Sequence, residues 1–326
     1  MSKNTINVIL HGELGNQMFE VATGISLAHD LNFQLRGECV NNPNRLKKFK
    51  INEVIEITDK PKTMKKNFSD IIYGLNTRIN QKFLKHALSA LILIYTNLRK
   101  IHRKFIWIKD NKDENFNEKI IHSYNPDIYK ISEDTTLSGY FQSWKYFHHN
   151  KNLIKQAFEL KSMSADTAEI FSRLPKKFTA LHVRRGNTGA AILAQNYHGL
   201  LPMDYYLNAY NLLKSLHCDF PIVVFTDNKQ ECEKFLVMQQ ELPIEMIIGP
   251  EDVTDQSENL NLMQSASSII GANSSYSWWA AYLNFNDSIT AIFPRPWYRE
   301  PGEPEQELLL PNWLTVGFQN FIEEVK

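Results

Sequence analysis

Residues 178–187, FTALHVRRGN, decide how the rest of the chain is read: a short apolar β-like run breaks into a histidine, two arginines and a glycine. In an open α/β sheet, ligands bind outside the carboxyl ends of the strands, so His182, Arg184 and Arg185 stand where such a sheet presents a mouth. A guanidinium offers a planar fork of donors that stays charged at any working pH and matches phosphate or carboxylate oxygens in pairs. On these ten residues alone, an anion site and a salt-bridged surface strand end are equally good readings.

Downstream, strands and helices alternate. The loop after Arg185 leads to a helix from Asp204 to Leu216. Next come a strand Ile222 to Phe225 ending in Thr226-Asp227, a helix through Phe235, a strand Ile244 to Ile248, a helix near Leu260 to Ala266 and a strand Ser268 to Gly271. Such alternation predicts a parallel, doubly wound sheet. Its last unit, Ala272 to Trp279, puts Asn273, Ser274 and Ser275 at a helix start. Small polar residues there cap the helix, and the same groups can donate to a phosphate. Trp278 and Trp279 read as core. Asp227, at a strand end, either caps the helix that follows or accepts from a ribose or base.

Upstream, Ile6 to Leu10 is a buried strand. His11 to Gln17, HGELGNQ, is a glycine turn into a helix running through Ala28. The amides of such a helix start can hold an anion, but the turn lacks the Lys-Ser/Thr of a P-loop and the third glycine of a dinucleotide fingerprint. By spacing alone, a purely structural turn reads as well. Asn41 to Lys130 reads as helices and long loops. Within it, Phe83, Ala87, Leu91, Ile94 and Leu98 recur at helical spacing ahead of Arg99, Lys100, Arg103 and Lys104, which predicts an amphipathic helix with a basic end. Thr136 to Gln142 reads as strand and turn, Trp144 to Phe158 as a helix, and Lys161 to Lys177 as a crossing between domains.

Composition bounds the function. With 326 residues, two domains are expected, and 36 basic residues balance 36 acidic ones, which argues against a nucleic-acid partner. Three cysteines, Cys39, Cys218 and Cys232, fit neither a disulfide framework nor a zinc site, and no metal cluster is legible. The N-terminus shows no signal-peptide pattern, and the longest apolar stretch, Ala87 to Tyr95, is too short to span a bilayer. A cytoplasmic protein, peripheral at most to the inner membrane face, is expected.

Five motifs, HGELGNQMF, GYFQSWKYF, LHVRRGN, VVFTDN and IIGANSSYSWWAAYL, occur in an order that resembles the bacterial α-1,2-fucosyltransferases of glycosyltransferase family 11. The resemblance implies a GT-B-like α/β fold, two Rossmann-like doubly wound domains facing a cleft. The first domain, 1–160, would be the acceptor side. The second, 161–326, would bind GDP-fucose, with the C-terminal segment packing back on the first. It also implies an inverting, metal-independent and cofactor-free transfer of fucose from GDP-β-L-fucose to a sugar hydroxyl of an oligosaccharide or lipid-linked glycan, such as the galactose of an O-antigen.

Carried over residue by residue, Arg184 holds the donor diphosphate with His182 and Arg185 in support, Asn16 belongs with Arg184 among the catalytic residues, and Asn187 occupies the end of the HxRR motif. Donor contacts fall to Gly15, Gln17, Asp227, Asn273, Ser274 and Ser275. Two departures matter. Glu13 replaces the second glycine of the usual turn, and Asn187 stands where the family has Asp, so a carboxylate base at that position is lost. That second departure is the support for the rival reading, a degenerate nucleotide-sugar-binding protein without turnover.

Between Lys60 and Lys112 thirteen Lys or Arg face only Asp70 and Asp110. Each basic residue near an anionic bilayer contributes about 1 kcal/mol, so the protein is expected to co-sediment with anionic vesicles at low salt and to be released at high salt. Absence of binding at low salt would reduce the segment to a solvated face.

Overall fold

The computed structural model describes residues 3–39, 43–59, 106–109, 124–186, 198–237, 241–299 and 307–322. Asn187 and the helix expected from Phe83 to Leu98 lie outside them, as does the basic segment apart from Ile106–Lys109.

Two parallel sheets organise the chain. The first is built from β1 (Thr5–Leu10), β2 (Gln34–Cys39), β3 (Glu56–Asp59), β4 (Ile106–Lys109) and β5 (Thr135–Ser138), in the order β3-β2-β1-β5-β4. Helix α1 (Leu14–Leu31) joins β1 to β2. The second contains β6 (Thr179–Val183), β7 (Ile222–Thr226), β8 (Ile244–Ile248), β9 (Ser268–Ile270), β10 (Thr290–Arg295) and β11 (Leu314–Gly317), in the order β11-β10-β9-β6-β7-β8. Every strand pair in both is parallel. The architecture is α/β with two halves, each built on a parallel sheet.

The second sheet starts in the middle and works outward in both directions, whereas the first starts at β1, runs outward to β3 and returns from the far edge at β4 to β5 beside β1. The switch points are therefore β1/β5 and β6/β9, where helices leave to opposite faces and a crevice opens at the carboxyl ends. The residues singled out above flank these two points, since His11 follows β1, Tyr140 lies just past β5, Arg184 follows β6 and Gly271 follows β9.

Strands β6 and β7 are buried at every position, which is why they read as continuous apolar runs. The stretch Asn41 to Lys130, read as helices and loops, instead supplies the edge strands β3 and β4. Each has four residues, too few to make a periodic signal. The single helix expected from Trp144 to Phe158 is two short 3₁₀ turns followed by α2 (Lys151–Ala157). The crossing segment carries α3 (Ala165–Arg173), started by the Ser164 hydroxyl, which accepts from the Thr167 N–H. The remaining helices are α4 (Met203–Ser215), α5 (Lys229–Leu236), α6 (Gln256–Gln264) and α7 (Ser275–Tyr282).

The larger apolar cluster does not stop at the boundary near residue 160. It runs from Ile6 and Phe19 through Phe147 to Trp278, Trp279 and Trp313, so both halves share one core. Phe19 of α1 lies 4.5 Å from Trp278 and 4.9 Å from Trp279, and Phe147 stacks on Trp279 at 5.4 Å. The C-terminal segment reaches the first half through Glu307, which pairs with Lys145 at 2.7 Å and accepts from the Tyr124 N–H.

A polar clamp crosses the same boundary. Glu258 of α6 is buried and accepts from Lys48 at 2.8 Å and from the Ser164 and Thr167 hydroxyls at 2.6 Å each. Burial pushes its carboxyl up, but the hydrogen bonds from Lys48, Ser164 and Thr167 outweigh this and hold it down at about 2, against an ordinary 4.5. A folded-state value below the unfolded one gives stability that is complete above about 4.5 and lost as pH falls toward 2. Glu258→Gln is therefore expected to lower stability by roughly 1.5–3 kcal/mol at neutral pH, the range for hydrogen bonds to a charged group. Thermal melts at pH 7 and pH 3 should show the gap from wild type shrinking in acid.

Candidate active site

The site is built where the two switch points meet. Gly12 holds φ at +65°, a left-handed conformation that favours glycine, and turns the chain from β1 into α1. A Cβ on Gly15 would lie 2.5 Å from the Ser275 Oγ and 2.9 Å from the backbone of Ser275 and Tyr276. Only glycine lets α1 approach the start of α7 this closely. Trp279 then donates its indole N–H to the Gly15 carbonyl at 3.0 Å. Gly15 is thus a packing residue at the mouth.

Asn16 is the joint between the halves. Its Oδ1 accepts from the Ser275 hydroxyl at 3.2 Å and from the Gln142 amide at 2.9 Å, which brings three of the five motifs to one carboxamide. The N-termini of α1 and α7 therefore converge, each with its dipole favouring negative charge.

On the second half, Arg184 follows the end of β6. It is about a quarter exposed, and among the described residues its charged partner is Asp227, whose Oδ2 lies 4.0 Å from Nε. At that distance the fork remains available for a ligand. Burial lowers its pKa from the ordinary value while Asp227 opposes this, and the group stays charged. Asp227 does not cap the next helix, as one reading had it; Asn228 does, accepting from the Glu231 N–H at 3.1 Å. Asp227 Oδ1 accepts from the Arg185 N–H at 2.6 Å and so holds the turn that carries both arginines.

Arg185 is placed differently from the supporting donor role expected for it. Extended backbone sends neighbouring side chains to opposite sides, and this one is buried with its guanidinium carbon 3.5 Å from the Phe235 ring centroid. It donates to the Leu201 carbonyl at 2.7 Å and braces the loop behind the site. His182, on β6, is buried beside Tyr276, with ring centroids 5.8 Å apart and Nδ1 unpartnered among the described residues. Burial, with Arg184 nearby, pushes its pKa down to about 4 against the pull of Asp227, so it is neutral at physiological pH.

Two further donor-contact assignments belong to the framework. The Asn273 amide is buried and donates to the carbonyls of His198 at 2.6 Å, Gly199 at 3.3 Å and Trp297 at 3.2 Å. Gln17 is buried too, donating to Pro43 O at 3.0 Å and accepting from the Arg45 N–H at 3.0 Å. Ser274 caps α7 by accepting from the Tyr276 N–H at 3.3 Å, as its position suggested. Arg184, Asp227, Asn16 and Ser275 remain as the partly exposed polar lining. The link from Gln142 to Asn16 depends on a fold contact that no local pattern announces.

The description of glycosyl transferase family 11 matches residues 5–317, nearly the whole chain. The protein belongs to that family. It is a glycosyltransferase. Among its relatives, the O-antigen biosynthesis glycosyltransferase WbnK of Escherichia coli is 25% identical over 94% of this chain and 99% of its own length. An alpha-1,2-colitosyltransferase of the same species is 26% identical over 94% of this chain and 97% of its own. Of solved structures, the fucosyltransferase NodZ from Bradyrhizobium aligns with a TM-score of 0.47 at 13% identity, covering 89% of this chain and 98% of that one.

Arg184→Lys keeps the charge and removes the planar fork. Loss of one preorganised contact of this kind costs about 10²- to 10³-fold in turnover, and a fall in that range with an unchanged melting temperature is expected. Arg185→Lys should do the reverse, lowering the melting temperature through the lost Phe235 stack. Near wild-type turnover in Arg184→Lys would remove the assignment.

Proposed function

We propose that this glycosyltransferase moves L-fucose from GDP-β-L-fucose, with inversion, to a hydroxyl of galactose in a bacterial surface glycan such as an O-antigen unit. Two observations carry the reading: among the described residues the Arg184 guanidinium has its ion-pair partner, Asp227, no closer than 4.0 Å, and the starts of α1 and α7 meet at the Asn16–Ser275 joint, groups suited to a sugar diphosphate. As GDP leaves, charge accumulates on the diphosphate. Arg184 and the oriented first-turn amides stabilise it most in the transition state, so they act on turnover more than on binding.

On this reading, residues 161–326 hold GDP, with the partly exposed Asp227 carboxylate offered to a nucleoside hydroxyl, while residues 1–160 form the acceptor wall. Arginine supplies the positive charge, and no divalent ion or cofactor is required. No described helix is long and apolar enough to cross a membrane, and a cytoplasmic enzyme working at the inner membrane face fits this reading.

A second donor is favoured by one relative. Colitose is fucose without its 3-hydroxyl, and the colitosyltransferase match spans almost the whole chain. GDP release from GDP-fucose and GDP-colitose over a panel of galactosides separates the two. Fucose transfer that persists in EDTA is the expected result, whereas activity abolished by chelation and restored by Mn²⁺ or Mg²⁺ would overturn the metal-independent reading.

A further inference from the structure

The first half carries an acid–base pair at the mouth that has no part in holding the donor. His11 is the residue that follows β1, beside the switch point with β5. Its backbone N–H donates to Glu20 Oε2 at 2.8 Å, and its Nδ1 lies 3.1 Å from Glu20 Oε1. Glu20, within α1, has no exposed surface, whereas the His11 side chain keeps 34%. The ring therefore turns one nitrogen inward to a buried carboxylate. Among the described residues its Nε2 has no hydrogen-bond partner.

The position suits an acceptor. His11 precedes Gly12, and a Cβ on Gly12 would lie 2.6 Å from the Asn16 amide nitrogen, so the ring is anchored beside the joint with the other half. Tyr140, at the end of β5, meets it edge-on at 6.3 Å. Arg184 stands on the second half, so the imidazole and the diphosphate site lie on opposite walls. Inverting displacement requires that separation, because the acceptor oxygen attacks the anomeric carbon from the face away from the leaving group.

We propose that His11 is the base that takes the proton of the acceptor hydroxyl, with Glu20 as the positioning residue that holds its Nδ1; this rests on the GDP-sugar transferase reading above. The acceptor O–H bond breaks as its oxygen forms the new bond to C1 of the sugar. The C1–O bond to the β-phosphate breaks, and its electron pair leaves with GDP. The proton resides on Nε2, giving an imidazolium opposite the Glu20 carboxylate.

Other groups near the site serve this role less well. His182 is buried with its pKa pushed down to about 4. Asp227 lies on the donor wall, where its Oδ1 accepts from the Arg185 N–H. Glu13, on the same turn as His11, is paired with Arg45 at 2.7 Å. Asn187 cannot accept a proton as a carboxylate does.

The proton inventory of the pair makes the proposal testable. Nε2 is a base only while the hydrogen sits on Nδ1, and an ionised Glu20 selects that tautomer. Burial pushes the Glu20 carboxyl up to about 7 against the His11 hydrogen bonds. Below that value a protonated Glu20 donates to Nδ1 and drives the ring hydrogen to Nε2. Turnover should therefore fall on the acid side of about pH 7. The titratable groups around His11 are Glu20 from α1 and Tyr140 after β5, with Glu13 on its own turn paired with Arg45 from the segment after β2.

The full chain is assayed as wild type, His11→Gln and Glu20→Gln. His11→Gln should lose about 10²- to 10⁴-fold in kcat, the usual worth of a general base, with GDP affinity by calorimetry and melting temperature unchanged. In Glu20→Gln the His11 backbone N–H still needs an acceptor. The amide oxygen takes that place, its NH₂ donates to Nδ1, and the ring is locked as the Nε2–H tautomer. The expected signature is a kcat loss at unchanged donor KM, with ¹⁵N NMR at pH 8 reporting Nδ1–H in wild type and Nε2–H in the variant. If Glu20→Gln does not fold, His11→Gln and the wild-type spectrum decide alone. Wild-type transfer retained within threefold in His11→Gln would overturn the base role and leave the transferase reading standing. An Nε2–H tautomer in wild type would remove the role of Glu20. No transfer from any GDP-6-deoxyhexose by wild type would overturn both.

Discussion

The contact on which the rest of the structure depends is the approach of α1 to α7 through Gly15 and Ser275. A single methyl group at Gly15 would collide with backbone as well as with a hydroxyl, so the two helix starts can meet only there and only without a side chain. Trp279 secures the contact by donating to the Gly15 carbonyl, and Phe19 packs on both tryptophans behind it. Indole rings buried in this way contribute apolar area while their N–H groups stay satisfied, which makes the seam both strong and directional. Its rigidity fixes the distance between the walls of the mouth.

Once the seam is set, charge is distributed asymmetrically. The second half contributes a cation held loosely by Asp227, and the first half contributes a histidine backed by a buried acid. The two are kept apart by an interface whose side-chain link at the mouth, Asn16 to Ser275, is neutral. Ionic contacts across the boundary among the described residues lie at Lys48–Glu258, at Lys145–Glu307 and where Lys151 and Lys155 meet Asp287, and they stabilise the assembly without competing for a ligand.

Much of this was legible before any coordinates. The strands β6 and β7 announce themselves as uninterrupted apolar runs because both their faces are covered, and the turns at their ends carry the polar residues that a parallel sheet delivers to its mouth. Ser274 capping α7 follows from local chemistry in the same way. Strands of four residues, such as β3 and β4, carry no period to detect, and the first half was read less well for that reason. Which side chains of a motif stay exposed and which are buried is harder to read locally. Arg184 and Arg185 are chemically identical, and only their direction on an extended segment separates the exposed one from the one stacked on Phe235.

The sequence by itself determined the class of fold, the ends of β1 and of β6 to β9, and the family, because periodicity, glycine turns and ordered motifs are local properties that survive without three-dimensional context. Tertiary structure alone decided that Asn273 and Gln17 spend their amides on backbone carbonyls and backbone N–H groups, that Asn16 ties three distant segments together, and that His11 meets Glu20. Each of those outcomes depends on which buried polar group finds a partner when the core closes, and hydrogen-bond satisfaction is settled across the whole interior and not along the chain.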